Sequence, residues 1–186
     1  MSSRKPQVAV YYFPNYHSDP RNRSLHGDHW TEWELVRRAE PRFEGHVQPN
    51  LPAWGETDEA DPQQMAQKID AAADHGIDTF IFDWYWYNDG PFLERGLEEG
   101  FLKAPNNDRL KFALMWGNHD WIDIHPMKAC DNSLENATVL YPGAVTPETF
   151  EKIIDVCIER YFKHPSYWLI DGCPFYSIYE LTKLVA

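Results

Sequence analysis

DPQQMAQKIDAAADHGIDTFIFDW, residues 61–84, reads as a capped amphipathic helix running directly into a buried strand. Asp61 stands where an N-cap carboxylate accepts from the first free backbone N–H groups. Pro62 suits the first helical position, where its missing N–H is not needed. Met65, Ile69, Ala72 and Ala73 fall on one face, and His75-Gly76 ends the helix. From Asp78 to Trp84 the pattern changes to a continuous run of strand-type side chains, Thr79-Phe80-Ile81-Phe82. Such a run fits a strand covered on both faces.

The same alternation extends outward on both sides. Upstream, Val8–Phe13 is a short β-branched and aromatic strand closed by Pro14. Residues 14–61 then form a long aromatic-rich loop with little periodicity, and loops of that length in compact domains usually carry function. Downstream, a helix is expected from about Phe92 to Leu102 and a third strand over Leu110–Trp116. Thr146 caps a further helix, with Thr149 where a capping-box acid often stands. Its apolar stripe is Phe150, Ile153, Ile154, Cys157, Ile158 and Tyr161. Tyr167–Ile170 and Phe175–Tyr179 flank the turn signal Asp171-Gly172 and suggest a small hairpin. Phe175–Tyr179 supplies the fourth barrel strand, and Glu180–Val185 the start of a fourth helix.

Strands and helices alternating at this spacing predict an α/β fold of parallel βαβ units. A doubly wound sheet would carry a glycine-rich phosphate turn after its first strand. Here that position holds Pro14-Asn15-Tyr16-His17, so the expected class is the (β/α)8 TIM-barrel type. A complete barrel takes about 250 residues or more. The 186 residues and about four βα units therefore read as one domain, 1–186, forming the N-terminal half of such a barrel. Its first and fourth strands would present unpaired edges. A truncated product, an excerpt, or half of an assembly with a missing C-terminal half-barrel is expected.

Composition narrows the partners. The net charge of −12 disfavours nucleic acid, whose phosphates need clustered Lys and Arg, and equally an anionic membrane surface. The basic patches Arg21–Arg23 and Arg37–Arg38 are too short to reverse this. Arg4 and Lys5 precede a strand and not an apolar signal core, and no apolar stretch reaches the ~20 residues of a membrane helix. Cys130, Cys157 and Cys173 form neither a CxxC nor a disulfide framework, which suits a reducing cytoplasm. The outlier is aromatic content: 8 Trp, 10 Tyr and 10 Phe. A core rarely needs so many Trp, since each buried indole N–H needs a partner, so part of the surplus is expected to line a pocket.

Active sites of such barrels lie at the C-terminal ends of the strands. Those ends deliver Tyr12, Phe13, Asn15, Tyr16 and His17; Asp83, Trp84, Tyr85, Trp86 and Tyr87; Trp116, Asn118, His119, Asp120 and Trp121; and Tyr179 and Glu180. Aromatic rings beside short polar groups match a sugar, whose C–H faces stack while its hydroxyls need donors and acceptors. Tyr12, His17, Asp83, Trp84, Trp86, Trp116, Asn118 and Asp120, joined by Trp33 from the long loop, are the expected substrate-binding residues. The alternative is that these rings cap the barrel and support one another. The loop cluster His29-Trp30-Thr31-Glu32-Trp33, with His46, Gln48, Pro49 and Trp54, reads either as a lid or groove wall, or as a plug.

Neither His26, Asp28 and His29 nor His119, Asp120 and His125 matches a recognised ligand spacing, so no metal and no cofactor is expected. No serine sits in a strand-to-helix elbow. Cys157 fits the core, and Cys130 has no positioned base. Glycosidic chemistry needs two carboxyl groups. Asp83, Asp120, Glu32 and Glu180 are available, without an arrangement that spacing certifies.

Several linked motifs carry a resemblance. They are Tyr11-Tyr12-Phe13-Pro14-Asn15-Tyr16-His17, then Thr31-Glu32-Trp33 leading to Pro41, Gly45-His46 and Gln48-Pro49. Gly76-Ile77-Asp78-Thr79-Phe80, Trp84-Tyr85-Trp86-Tyr87, Tyr161-Phe162-Lys163-His164-Pro165 and Asp171-Gly172 with Pro174 follow in order. Over nearly its whole length the chain resembles the WbsX-like family, bacterial proteins related to the glycoside hydrolase family 99 barrels. The resemblance implies a glycan-processing domain of polysaccharide or lipopolysaccharide assembly, hydrolase or glycosyltransferase, with a glycan substrate. It also implies a catalytic glutamate pair late in the barrel, beyond Ala186, so that these residues alone are expected to be inactive. A non-catalytic carbohydrate-binding or degenerate domain is the alternative.

Overall fold

A computed structural model of the chain describes residues 6–123 and 137–184. His125, Cys130 and Val185, named above, lie outside them. Strands β1 (Ala9–Tyr12), β2 (Thr79–Tyr87), β4 (Lys111–Trp116) and β9 (Tyr176–Ile178) form one parallel sheet in which neighbours follow chain order. Asp83 pairs with Met115, and Met115 in turn with Ser177. A doubly wound sheet reverses direction after its first strands; this one does not across four, which is the winding of a barrel.

The quoted stretch forms as its pattern requires. Helix α3 spans Pro62–Asp74, and the Asp61 side chain accepts from the backbone N–H of Gln63 at 2.7 Å and Gln64 at 3.2 Å. Met65, Ile69 and Ala72 are buried against the sheet, and Gly76 takes the left-handed φ of +86° that stops the helix. Thr146 likewise caps α4 (Pro147–Val156), which continues as a π-helical turn through Cys157–Phe162. Cys157 is fully buried, and burial pushes its thiol up to about 12.

One expected helix is displaced. Phe92 belongs to a short strand, β3 (Gly90–Phe92), folded back antiparallel on β2 so that Phe92 meets Tyr85. The helix begins later, as a π-helical turn over Gly96–Phe101. Pairing with an aromatic strand decides Phe92's state over its helical spacing. Gly100 explains the local sequence, because a Cβ there would come within 1.9 Å of the Glu59 carbonyl oxygen. The hairpin at Asp171-Gly172 joins β7 (Leu169–Ile170) to β8 (Cys173–Pro174), both turn residues having positive φ. After β9 the chain makes a 3-10 turn over Leu181–Lys183 instead of the start of an α-helix.

The long loop carries structure of its own: α1 (Pro20–His26) and α2 (Trp33–Arg37). Buried Asp19 caps α1 and also accepts from the Leu93 N–H at 3.1 Å, tying the loop to the β3 hairpin. Two further strands, β5 (Trp121–Ile122) and β6 (Val139–Tyr141), form an antiparallel ribbon. Trp121 and Tyr141 pack against the small hydrophobic cluster of Tyr85, Tyr87, Phe92 and Leu93.

Candidate functional site

Alternation along a strand sends successive side chains to opposite faces, and here it divides the aromatic residues into two groups. Phe80 and Phe82 meet Phe101, Trp84 meets Tyr161, Phe112 meets Phe101 and Tyr161, and Trp116 meets Phe150. All these partners are on helices, so this is the outer, helix-covered face. Trp84, Trp86 and Trp116 expose 2%, 7% and 1% of their surface. The Trp116 indole N–H donates to the Trp86 carbonyl at 3.2 Å. Trp86 borders a cavity of about 300 Å³, but that cavity opens among Glu94, Glu98 and Arg160 on the helix side. These three tryptophans form core, and their placement keeps them from a ligand in the barrel mouth.

Tyr12 also faces outward. It stacks on Phe80 with ring centroids 4.6 Å apart, and its hydroxyl donates to Glu59 in a short hydrogen bond. Burial first, then the Glu59 carboxylate, push this phenol well above its usual range, so it stays protonated. Lys68 completes the group, donating to Glu59 Oε1 at 2.7 Å and to the Tyr12 hydroxyl at 3.3 Å. Glu59 Oε2 takes the Tyr16 backbone N–H at 2.9 Å. This buried acid–lysine–tyrosine group pins the long loop to β1 and α3. Nothing in the sequence signals it, because its members are 47 and 9 residues apart.

The opposite, inner face carries Tyr11, Ile81, Asp83, Tyr85, Ala113, Met115 and Ser177, placed there by strand parity and register. Above them Phe13, His119 and Trp121 surround the Tyr85 ring, and Tyr179 packs edge-on to His119. Tyr11 and Tyr179 are exposed, while Ile81, Tyr85 and Ala113 are buried. Asp83 lies in the middle of this wall. Its Oδ1 and the Ser177 Oγ, in the same layer, are buried without hydrogen-bond partners among the described residues. Burial raises the Asp83 carboxyl from 3.8 to about 6, against a weaker opposing pull from His119. Folded proteins seldom leave buried polar atoms unpaired, and here an acceptor and a hydroxyl share one layer of the inner face. Glu32, from the long loop, is close enough for its charge to help raise the phenols of Tyr16 and Tyr85, after burial.

The remaining sequence candidates hold the mouth together. Asn118 is buried and bridges two strand ends, donating to the Glu180 carbonyl and accepting from the Glu180 N–H, both at 2.7 Å. Asp120 accepts from Lys183 at 2.6 Å and from the Gly143 N–H at 2.8 Å, and Lys183 chiefly holds its carboxyl low. His17 is buried beside Gly96, and desolvation lowers its pKa below the usual imidazole value. Trp33 stacks on Tyr16 at 4.0 Å and donates its indole N–H to the Thr57 carbonyl at 2.9 Å. Of the nine expected residues, only Asp83 therefore stands on the inner wall with a free polar atom. Tyr11, Tyr85, Ser177 and Tyr179 are its neighbours there. The signal that would have found Tyr85 was parity with Asp83 along β2.

Comparison with known proteins fits this geometry. The family model described as glycosyltransferase WbsX matches residues 8–186. The chain belongs to the WbsX glycosyltransferase family. The uncharacterized protein WxcX of Xanthomonas campestris pv. campestris, in strains B100 and ATCC 33913, is 30% identical over 174 residues. That match takes in 93% of the chain but 24% of the relative, so the chain spans about a quarter of WxcX. Among solved structures, the GH99 endo-alpha-mannosidase from Bacteroides thetaiotaomicron superposes with a TM-score of 0.54 at 15% identity, over 95% of this chain and 45% of that enzyme. A second structure of the enzyme, in complex with bis-tris-propane, gives 0.55 at 14% identity, over 96% and 43%. At that identity the likeness concerns the fold, an α/β barrel type, and this chain aligns with a little under half of that enzyme. No helix among the described residues is long and apolar enough to cross a membrane.

Proposed function

We propose that the chain is the N-terminal half of a glycan-processing barrel, 1–186 forming one domain with the long loop 14–61 folded over its rim. The inner wall around Asp83 would bind a sugar of the substrate. The observation that carries this is the orphaned Asp83 oxygen, level with Ser177 on the face that also carries Tyr11 and Tyr85. An ionised carboxylate in such a place accepts from vicinal sugar hydroxyls, while the exposed phenyl faces stack on the ring's C–H surface. Among the inward positions of the four parallel strands, Asp83 is the single carboxylate. Hydrolysis of a glycosidic bond takes two carboxyl groups, and the chain supplies a binding wall more than a reaction centre. The partner carboxylates would come from a C-terminal half-barrel pairing with the edges of β1 and β9, in a glycosidase or glycosyltransferase. A non-catalytic glycan-binding domain is the second reading, favoured by the same lone carboxylate. The free thiols of buried Cys157 and exposed Cys173 support a cytoplasmic setting.

The test is titration of the chain with an α-mannooligosaccharide, followed by saturation-transfer NMR, in wild type and Asp83→Asn. Binding is expected to weaken about tenfold, which corresponds to ~1.4 kcal/mol, because one charge-assisted hydrogen bond is lost. Unchanged affinity would remove Asp83 from the site.

The same variant has an opposite effect on stability. The folded Asp83 holds its proton up to about pH 6, against 3.8 for the ordinary carboxyl. A carboxyl with a raised folded pKa costs stability once ionised, so the penalty is absent below about pH 4 and complete above about pH 6. Asp83→Asn should therefore melt higher than wild type at pH 7.5, with the difference vanishing near pH 3.5. Discounted for the solvent on the open side, the gain is on the order of 1 kcal/mol, or roughly 2–4 °C. Calorimetry at the two pH values reads it directly, and equal melting temperatures at pH 7.5 would refute the desolvated carboxylate.

A further inference from the structure

The long loop builds a second pocket, away from the inner wall. Its volume is about 240 Å³, and Trp33, Pro52, Trp54, Thr57 and Lys68 line it. A tight turn, in which the Gly55 N–H donates to the Pro52 carbonyl at 3.0 Å, projects Trp54 at its rim. Trp54 exposes 53% of its surface, whereas Trp84, Trp86 and Trp116 of the parallel sheet are buried. Trp33 is held in place by its stack on Tyr16 and its bond to the Thr57 carbonyl. One indole is thus fixed and the other is offered to solvent, with the Lys68 ammonium between loop and helix.

An ammonium carries three N–H donors. Glu59 and the Tyr12 hydroxyl take two of them, and the third has no partner among the described residues, on a side chain that lines the pocket. The charge on Lys68 is already matched by Glu59, which is 2% exposed. The site is therefore neutral as a whole, within a chain of net charge −12. A carboxylated, phosphorylated or sulfated ligand would find no uncompensated cation there. Aromatic faces beside a neutralised hydrogen-bond donor suit a ring with an apolar face and hydroxyl acceptors. The volume falls below the ~300–1,000 Å³ of drug-sized ligand sites, which leaves room for one ring and not for a chain of them.

We propose that Trp33, Trp54 and Lys68 form a second saccharide site that takes a single neutral hexopyranose residue, separate from the Asp83 wall. Trp54 stacks on the sugar's C–H face, and Lys68 donates to a ring or hydroxyl oxygen. The site rests on the glycan-directed reading in its ligand class but not in its residues. It gives the long loop a task, holding a branch or a distant unit of a glycan whose other end lies in the barrel mouth.

The experiment uses the ¹⁵N-labelled chain and methyl α-D-mannopyranoside, with the Trp54 indole resonance assigned by its absence from the Trp54→Ala spectrum. Addition of the glycoside is expected to shift the Trp54 and Trp33 indole signals, in wild type and in Asp83→Asn alike. Trp54→Ala should weaken the response of Trp33 about tenfold while leaving shifts around Tyr85 and His119 intact. Movement of the Tyr85 and His119 signals with a silent Trp54 would overturn this site and leave the Asp83 wall standing. Movement of Trp54 and Trp33 with silent wall signals would do the reverse. Loss of the Trp54 response in Asp83→Asn would show one site where two are proposed. Glucuronate binding more tightly than the neutral glycoside would overturn the assignment of the ligand as uncharged. No shift at any signal would overturn both.

Discussion

Trp116→Ala is expected to lower the melting temperature by roughly 6–20 °C, the consequence of the ~3–5 kcal/mol lost when a buried Trp is truncated. Trp116 is 1% exposed, packs beside Phe150 of α4, and satisfies the Trp86 carbonyl through its indole N–H. Truncation opens a cavity between sheet and helix and leaves that carbonyl without its partner, and both effects act in the same direction. Glycan affinity of the fraction that remains folded should not change, because the ring lies on the opposite face from Asp83. Thermal denaturation paired with a sugar titration separates the two roles. A binding defect in a protein of normal stability would return Trp116 to the substrate wall.

Lys68→Met should be comparably severe. Glu59 is 2% exposed and Lys68 19% exposed on their side chains, at 2.7 Å. Removing one partner of a buried ion pair leaves the other charge uncompensated, at a cost of about 3–5 kcal/mol. The loop would feel this first, since Glu59 also accepts from Tyr12 and from the Tyr16 backbone. The double variant Lys68→Met/Glu59→Gln removes the stranded charge while keeping an acceptor, so it should recover part of the lost stability. Chemical denaturation of the two variants checks this. A Lys68→Met protein within 1 kcal/mol of wild type, on the scale of an exposed pair, would show that the group is solvated and holds nothing in place.

The parallel fold was legible because it is written in local signals. The cap at Asp61, the stripe Met65, Ile69 and Ala72, the stop at Gly76 and the run Thr79–Phe82 each act over a few residues. The Asp171-Gly172 hairpin was legible for the same reason. Phe92 was misplaced because a cross-strand partner, Tyr85, outweighed its local pattern. The site was harder. Strand-end position specifies a height in the barrel but not a face, and Trp84, Trp86 and Trp116 attract attention by size while parity puts them under the helices. Asn118 and Asp120 look like ligand-binding groups in one dimension; only register shows that Glu180, Lys183 and Gly143 already occupy them. The Glu59–Lys68–Tyr12 group depends on a loop closing onto a helix and a strand, which no spacing encodes.

The most direct test of the Asp83 wall is a crystal structure of the chain with an α-mannooligosaccharide. A sugar ring is expected on the inner face of the sheet, with hydroxyls within hydrogen-bonding distance of the Asp83 carboxylate and Ser177 Oγ. Its apolar face would lie against Tyr11, Tyr85 or Tyr179. A sugar bound instead in the helix-side cavity beside Trp86, with the Asp83 wall empty, would contradict this expectation.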